Sequence, residues 1–151
     1  MINRTDFNTI LSKIKFHVVS NDKQELYMYY ATIDDDKKIG SIRYMFINEN
    51  HEGIDYTEMN ELDYEDYIPD GKFCFISSLY VEKEYRSIGL GKVLIDYVET
   101  EAKKLNYSCI YLLASPISAD LDVNYLIKYY KNLGFQYISG NNQEANMIKY
   151  I

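Results

Sequence analysis

The spacing of apolar residues divides the chain into two kinds of stretch. KFHVVS (15–20), ELYMYYATID (25–34) and KIGSIRYMFIN (38–48) are short, β-branched and aromatic, and read as strands. The polar breaks between them, NDKQ and DDDKK, are turn-like, which predicts an antiparallel meander. KFCFISSLYV (72–81) and CIYLLAS (109–115) are nearly continuous apolar runs and predict buried strands, the first of them central. Between these two the period changes: Leu90, Val93, Leu94, Tyr97, Val98, Ala102 and Leu105 recur at helical spacing. VNYLIKYYKNL (123–133) predicts a further helix, stopped by Gly134. FQYIS (135–139) and NMIKYI (146–151) flank GNNQE as a closing hairpin, and TDFNTILSKI (5–14) predicts a short first helix capped by Thr5 or Asp6. Antiparallel strands followed by strand–helix–strand–helix–strand–strand make a mixed α/β sheet flanked by helices. No repeat or linker interrupts the chain, so residues 1–151 read as a single domain.

Composition narrows the function classes. At 151 residues and 47% apolar, the chain can bury a full core. A net charge of −7 argues against a nucleic-acid partner, which would require phosphate-neutralising cations. No apolar run has the ~20 residues of a membrane span, and MINRTDFNTILSK is too polar for a secretory leader, so the expected location is the cytoplasm. Cys74 and Cys109 sit within apolar runs and read as reduced core residues. With only His17 and His51 available, no metal site is expected. The 17 tyrosines read first as compositional bias.

One segment breaks the pattern. Residues 49–70 hold nine Asp and Glu, and 44–71 contain no Lys or Arg. This acidic insertion is longer than a routine connection.

The candidate chemistry lies in EYRSIGLGK (84–92), where a strand ends and a helix begins. The first amides of a helix have no partner within it, and with the helix dipole they favour a phosphate. Gly89 and Gly91 remove Cβ atoms and let ligand oxygens near the main chain, while Arg86 and Lys92 add charge. A diphosphate is the expected ligand. It is not held by a P-loop, since Val93 stands where Ser or Thr is needed. Nor is it held by a dinucleotide fingerprint, since Leu94 stands at the third glycine. An ordinary strand-to-helix turn is the plainer reading of the hexapeptide alone.

LYVEKEYRSIGLGKVL (79–94) resembles the acyl-coenzyme A signature of the GNAT family of N-acetyltransferases, [RQ]-x-x-G-x-[GA] after a strand ending Leu-x-Val. Tyr130, Leu133, Gly134 and Phe135 resemble that family's Tyr-x-x-Leu-Gly-Phe segment, at a suitable distance. The resemblance covers about residue 25 to the C-terminus. It implies acetyl-CoA as co-substrate, its diphosphate cradled by the main chain of Arg86, Ser87, Ile88, Gly89, Leu90 and Gly91 with Lys92 beside them. Main-chain groups of Leu79 and Val81 would pair with the pantetheine arm, which enters where strands 72–81 and 109–115 splay. The Val81 amide would contact the acetyl carbonyl, and Tyr130 would protonate the leaving thiolate, a task suited to a phenol that holds its proton at neutral pH. Reaction would be direct attack of an amine on the thioester, with no metal and no acyl-cysteine. Three positions depart from the family pattern. Lys83 replaces a common Pro, Val123 replaces a common Asn with Asn124 one position off, and Phe73 stands where some relatives carry a glutamate base. Glu82 is the nearest carboxylate, and deprotonation through ordered water is the equal alternative.

The acidic insertion supplies the clue to the acceptor. Tyr56, Tyr64 and Tyr67 interleave with Glu61, Asp63, Glu65 and Asp66, a combination that attracts ammonium groups through charge and cation–π contact. A small amine, a polyamine or a basic peptide is the expected acceptor, and a solvated loop with no ligand is the plainer alternative. A non-catalytic acyl-CoA-binding module, or an adaptor for basic partners, is the competing function class. The resemblance also allows a homodimer through the C-terminal strands.

Overall fold

The computed structural model describes residues 4–23, 25–47, 72–116 and 121–151; the acidic insertion at 49–70, with its Tyr56, Tyr64 and Tyr67, lies outside them, as does His51. In chain order the elements are α1 (Arg4–Lys13), β1 (Lys15–Ser20), β2 (Leu26–Ile33), β3 (Lys37–Ile47), β4 (Phe73–Val81), a 3-10 helix (Lys83–Ile88), α2 (Leu90–Lys104), β5 (Cys109–Ala114), α3 (Val123–Asn132), β6 (Gln136–Gly140) and β7 (Ala145–Tyr150). The strands form one seven-stranded sheet in the order β1-β2-β3-β4-β5-β7-β6. β4 and β5 run parallel, while β1–β2, β5–β7 and β6–β7 are antiparallel. This is the mixed, mostly antiparallel α/β architecture that the periodicity predicts. The chain forms two compact units, Met1–Tyr44 with Ser77–Val98, and Met45–Ile76 with Glu99–Ile151.

In the first unit, the β1–β2 register pairs Phe16 with Ala31, His17 with Tyr30 and Val19 with Met28. Asp34, Asp35 and Asp36 make the next turn, all with positive φ, and the Lys37 amide donates to the Asp34 carbonyl at 3.0 Å. Asp is one of the few residues with a side chain that visits this region at modest strain. Part of the tyrosine excess finds a structural use here. Phe16 stacks on Tyr29, Tyr29 on Tyr97 and Tyr27 on Tyr44, and Tyr44 meets Tyr97 edge-on.

The expected face of α2 needs correction. Leu90, Leu94, Ile95, Val98 and Ala102 are buried, whereas Val93 is 39% and Leu105 52% exposed. At 3.6 residues per turn the buried arc centres near Val98, which brings Ile95 in and leaves Val93 on the far flank. Leu105 falls past the helix end. α1 begins at Arg4, so Thr5 and Asp6 lie within its first turn rather than at its cap.

The second unit is built on β5, buried along nearly its whole length. Its core joins Ile47, Phe73, Cys109, Tyr111 and Ile148. Cys74 and Cys109 are both buried, as their apolar context predicts, and the Cys109 thiol donates to the Lys72 carbonyl at 3.6 Å. The Tyr111 hydroxyl donates to Asn146 Oδ1, and Asn146 Nδ2 donates to Ser139 Oγ at 3.2 Å. α3 packs on β5, β6 and β7. Glu99 accepts from Lys149 at 2.8 Å and pairs with Lys103 at 3.2 Å, tying α2 to β7 within this unit. The β6–β7 turn is closed by Asn141, whose Oδ1 accepts from the amides of Gln143 and Glu144, as the GNNQE stretch predicts.

Candidate functional site

Polypeptide leaves β4 at Val81 and turns at once. The Glu82 amide donates to the Ile39 carbonyl at 2.8 Å, which fixes the strand end to β3. Sequence alone suggests a short polar turn next. The structure instead holds Lys83–Ile88 as a 3-10 helix, opened by a bond from the Tyr85 amide to the Glu82 carbonyl at 2.8 Å. Gly89 ends it with φ +79°. A left-handed residue is needed there to pass from one helix axis to the next, which is why glycine is suited to the position. A Cβ built at Gly89 meets nothing within 4 Å, so the space beside this main chain is open. The Val93 amide donates to the Gly89 carbonyl at 3.2 Å, the first bond of α2. The amides of Leu90, Gly91 and Lys92 are therefore first-turn amides, without acceptors inside the helix. No acidic residue stands in that turn.

The side chains of the segment divide the work. Ile88 and Leu90 are buried, 2% and 0% exposed, and root the segment in the core while their main chain stays at the helix mouth. Ser87 is exposed. Arg86 Nε donates to the Val81 carbonyl at 3.0 Å, so the guanidinium is tethered to the end of β4. Lys92 pairs with Asp96 one turn along at 2.6 Å, with both groups largely exposed. The expected residues Val81, Arg86, Ser87, Ile88, Gly89, Leu90, Gly91 and Lys92 thus form one continuous feature, with Leu79 on the strand that leads into it. The β4–β5 ladder pairs Cys74, Phe75 and Ile76 with Ile110, Tyr111 and Leu112.

Sequence reasoning missed Gly40. A Cβ there would lie 3.0 Å from Leu90 Cδ2 and 3.3 Å from the Tyr80 carbonyl oxygen. This glycine lets the first turn of α2 settle on β3 beside the end of β4. The available signal was a glycine inside a strand pattern, which often marks close approach of another element.

In the second unit, Tyr130 lies in the last turn of α3. The helix is opened by Asp122, whose side chain accepts from the Tyr125 amide at 2.7 Å. It closes on a left-handed glycine, Gly134 at φ +96°. The Phe135 amide donates to the Tyr130 carbonyl and the Gly134 amide to the Lys131 carbonyl, both at 3.0 Å. This is a Schellman cap, and the Phe135 ring packs on Tyr130 at 5.6 Å as its accompanying apolar contact. The Tyr-x-x-Leu-Gly-Phe spacing therefore has a structural job, namely to end the helix and lock Tyr130 between Phe135 and Tyr129. Tyr130 is 7% exposed. Burial, with Tyr129 adding to it, pushes the Tyr130 hydroxyl pKa well above its usual value. Glu61, Asp63, Glu65 and Asp66 lie outside the described residues, among which no group of His, Cys, Asp and Glu is arranged to hold a metal ion. Among the same residues, no helix is long and apolar enough to cross a membrane.

The sequence profile of the acetyltransferase (GNAT) family matches residues 4–135. The chain belongs to the GNAT family. A comparison with curated proteins finds no match. Solved structures share the GNAT fold at low identity. The PaiA N-acetyltransferase of Thermoplasma acidophilum, in complex with coenzyme A, is 18% identical with a TM-score of 0.56; the match covers 85% of this chain and 63% of that one. The chain thus spans less than two thirds of that protein. Arylalkylamine N-acetyltransferase 2 of Aedes aegypti is 16% identical with a TM-score of 0.62, over 82% of this chain and 73% of its own. Arabidopsis thaliana NAA60, in complex with a bisubstrate analogue, is 19% identical with a TM-score of 0.58, over 84% and 77%. The family resemblance read from residues 79–94 and 130–135 agrees with the profile, and the mixed sheet agrees with these folds.

Proposed function

We propose that this GNAT protein is an acetyl-CoA-dependent N-acetyltransferase acting on a primary amine, with residues 1–151 forming one catalytic domain and 49–70 an insertion in it. The observation that carries the reading is the helix mouth at Gly89: open space beside a left-handed glycine, first-turn amides on a 15-residue helix, no acid in that turn, and cations at 86 and 92. Such a mouth suits a diphosphate. Acetyl-CoA supplies the activated acetyl group. The amides of residues 86–91 hold its phosphates, and the main chain of Leu79 and Val81 orients the pantetheine arm. Because β4 pairs with β5 only through Cys74–Ile76, Leu79 and Val81 are not committed to that ladder, which supports this role. Arg86, bonded to the Val81 carbonyl, sets the strand end relative to the phosphate segment. The Val81 amide polarises the acetyl carbonyl as the neutral amine attacks. Tyr130 delivers its proton to the departing sulfur, and the attacking nitrogen gives up its own proton to ordered water or to Glu82, the nearest carboxylate.

The test is calorimetric titration of acetyl-CoA followed by turnover with a panel of amines. One-site binding and acetylation of at least one amine are expected. Absence of saturable binding in folded protein defeats the reading, and binding without transfer to any amine favours the non-catalytic module.

The fold neighbours are named for amine acetylation or were solved with a bisubstrate analogue, which supports an amine or peptide acceptor here. The nine acids of 49–70 favour a polycation within that class. Spermidine turnover should show a several-fold rise in KM when Glu61, Asp63, Glu65 and Asp66 are changed to their amides. An unchanged KM removes the electrostatic role.

A further inference from the structure

Away from the Gly89 helix mouth, the first unit carries a second concave feature. The β1–β2 register sets His17 opposite Tyr30 and Val19 opposite Met28. Together with Thr32, Asp36 and Lys38 these residues line an open hollow of about 500 Å³, within the usual range for small-molecule sites. Its polar wall is organised. Thr32, only 4% exposed, puts a buried hydroxyl in this wall. Thr32 Oγ1 lies 3.0 Å from His17 Nε2. The His17 ring stacks on Tyr30 at 4.9 Å, and Lys38 Nζ stands 4.8 Å from the Tyr30 ring centre. The imidazole is thus held by two independent contacts, with its second ring nitrogen left over from the Thr32 bond. Val19 and Met28 give the hollow an apolar wall. Its two formal charges, Lys38 and Asp36, are of opposite sign, are both exposed, and form no ion pair with each other.

We propose that this hollow binds a zwitterionic α-amino acid with an apolar side chain: its carboxylate meets Lys38, its ammonium meets Asp36, and its hydrocarbon lies on Val19 and Met28. The charge pattern selects this class. A simple anion would meet the Asp36 carboxylate, and a simple cation would meet the Lys38 ammonium. A ligand carrying both charges next to a hydrocarbon satisfies each wall. Because the hollow contains none of the residues assigned to the coenzyme, the proposal stands or falls separately from the acetyltransfer reading.

Calorimetry without coenzyme tests it, with L-leucine as the probe and isopentylamine and 4-methylpentanoate as its single-charge counterparts; L-methionine and L-phenylalanine extend the probe set. Saturable one-to-one leucine binding is expected, at least tenfold tighter than either counterpart and weakened at least tenfold by Lys38→Ala and by Asp36→Asn. Both positions are exposed, and Asn tolerates the left-handed backbone at 36, so both variants should fold. Three results overturn the proposal: no saturation with any of the three amino acids, amine binding as tight as leucine, or leucine binding unmoved by both substitutions.

Discussion

Tyr130 shows how one side chain can serve the fold and the proposed chemistry without the two being confused. Its ring and carbonyl belong to the helix stop, through Phe135 and the Schellman bonds. Its hydroxyl belongs to the proposed proton transfer. Tyr130→Phe keeps the ring and the cap and removes only the hydroxyl. It should therefore lower kcat about 100-fold or more while acetyl-CoA affinity and melting temperature stay close to the parent, since a positioned acid contributes roughly 10²–10⁴ in rate. A fall of only a few-fold in kcat would return Tyr130 to a purely structural role. Gly89 separates backbone from contact in a similar way. Its φ of +79° penalises a Cβ, but no protein atom lies within 4 Å of that position. Gly89→Ala should cost about 1–2 kcal/mol of stability, with Gly89→Asn costing less because Asn enters the left-handed region more easily. A loss of acetyl-CoA affinity in Gly89→Ala well beyond that in Gly89→Asn would point to strain at the turn. An equal, large loss in both would point to the ligand occupying the open space, which is the expected result, and titration calorimetry distinguishes them.

At the scale of elements, most of the fold was legible because each segment carries an unambiguous period or stop. β1 occupies the six residues its pattern marks, and Gly134 ends α3 as a left-handed glycine should. The helix start at Gly89 was legible for the same reason, from two glycines between a strand and an amphipathic run. The unread parts depend on geometry in three dimensions. Helical spacing at 90–105 admits several overlapping arcs, and the packed molecule selects the one that buries Ile95 and leaves Val93 exposed. Nothing in the string EKEYRSI distinguishes a loose turn from a 3-10 helix, because its i→i+3 bonds are main-chain bonds. Gly40 reads as a weak spot in a strand until Leu90 and the Tyr80 carbonyl are seen above it. The bond from Arg86 to the Val81 carbonyl was likewise invisible, since sequence suggested only a cation for the ligand.

At the scale of the whole molecule, buried ionisable groups set the alkaline limit. Burial raises the pKa of the Cys74 thiol, with Cys109 adding to it, and burial together with Tyr129 raises that of Tyr130. A raised native pKa means the folded state keeps a proton that the unfolded state gives up. The associated stability is complete below the unfolded values, about 8.5 for cysteine and 10 for tyrosine, and falls as pH climbs beyond them. The loss is at most about 1.4 kcal/mol per pH unit for each group. Urea unfolding across pH 7–11 should therefore weaken from about pH 8.5, and Cys74→Ala should make the decline between about pH 8.5 and 10 shallower. A flat profile to pH 10.5 in the parent would contradict this. The same sealed thiols also provide a clock. Cys74 and Cys109 are 0% and 2% exposed, so a chromogenic disulfide reagent should find no reactive sulfur until the second unit opens, and two equivalents after denaturation. The slow rise in absorbance from native protein then counts spontaneous openings of the Met45–Ile76 and Glu99–Ile151 unit.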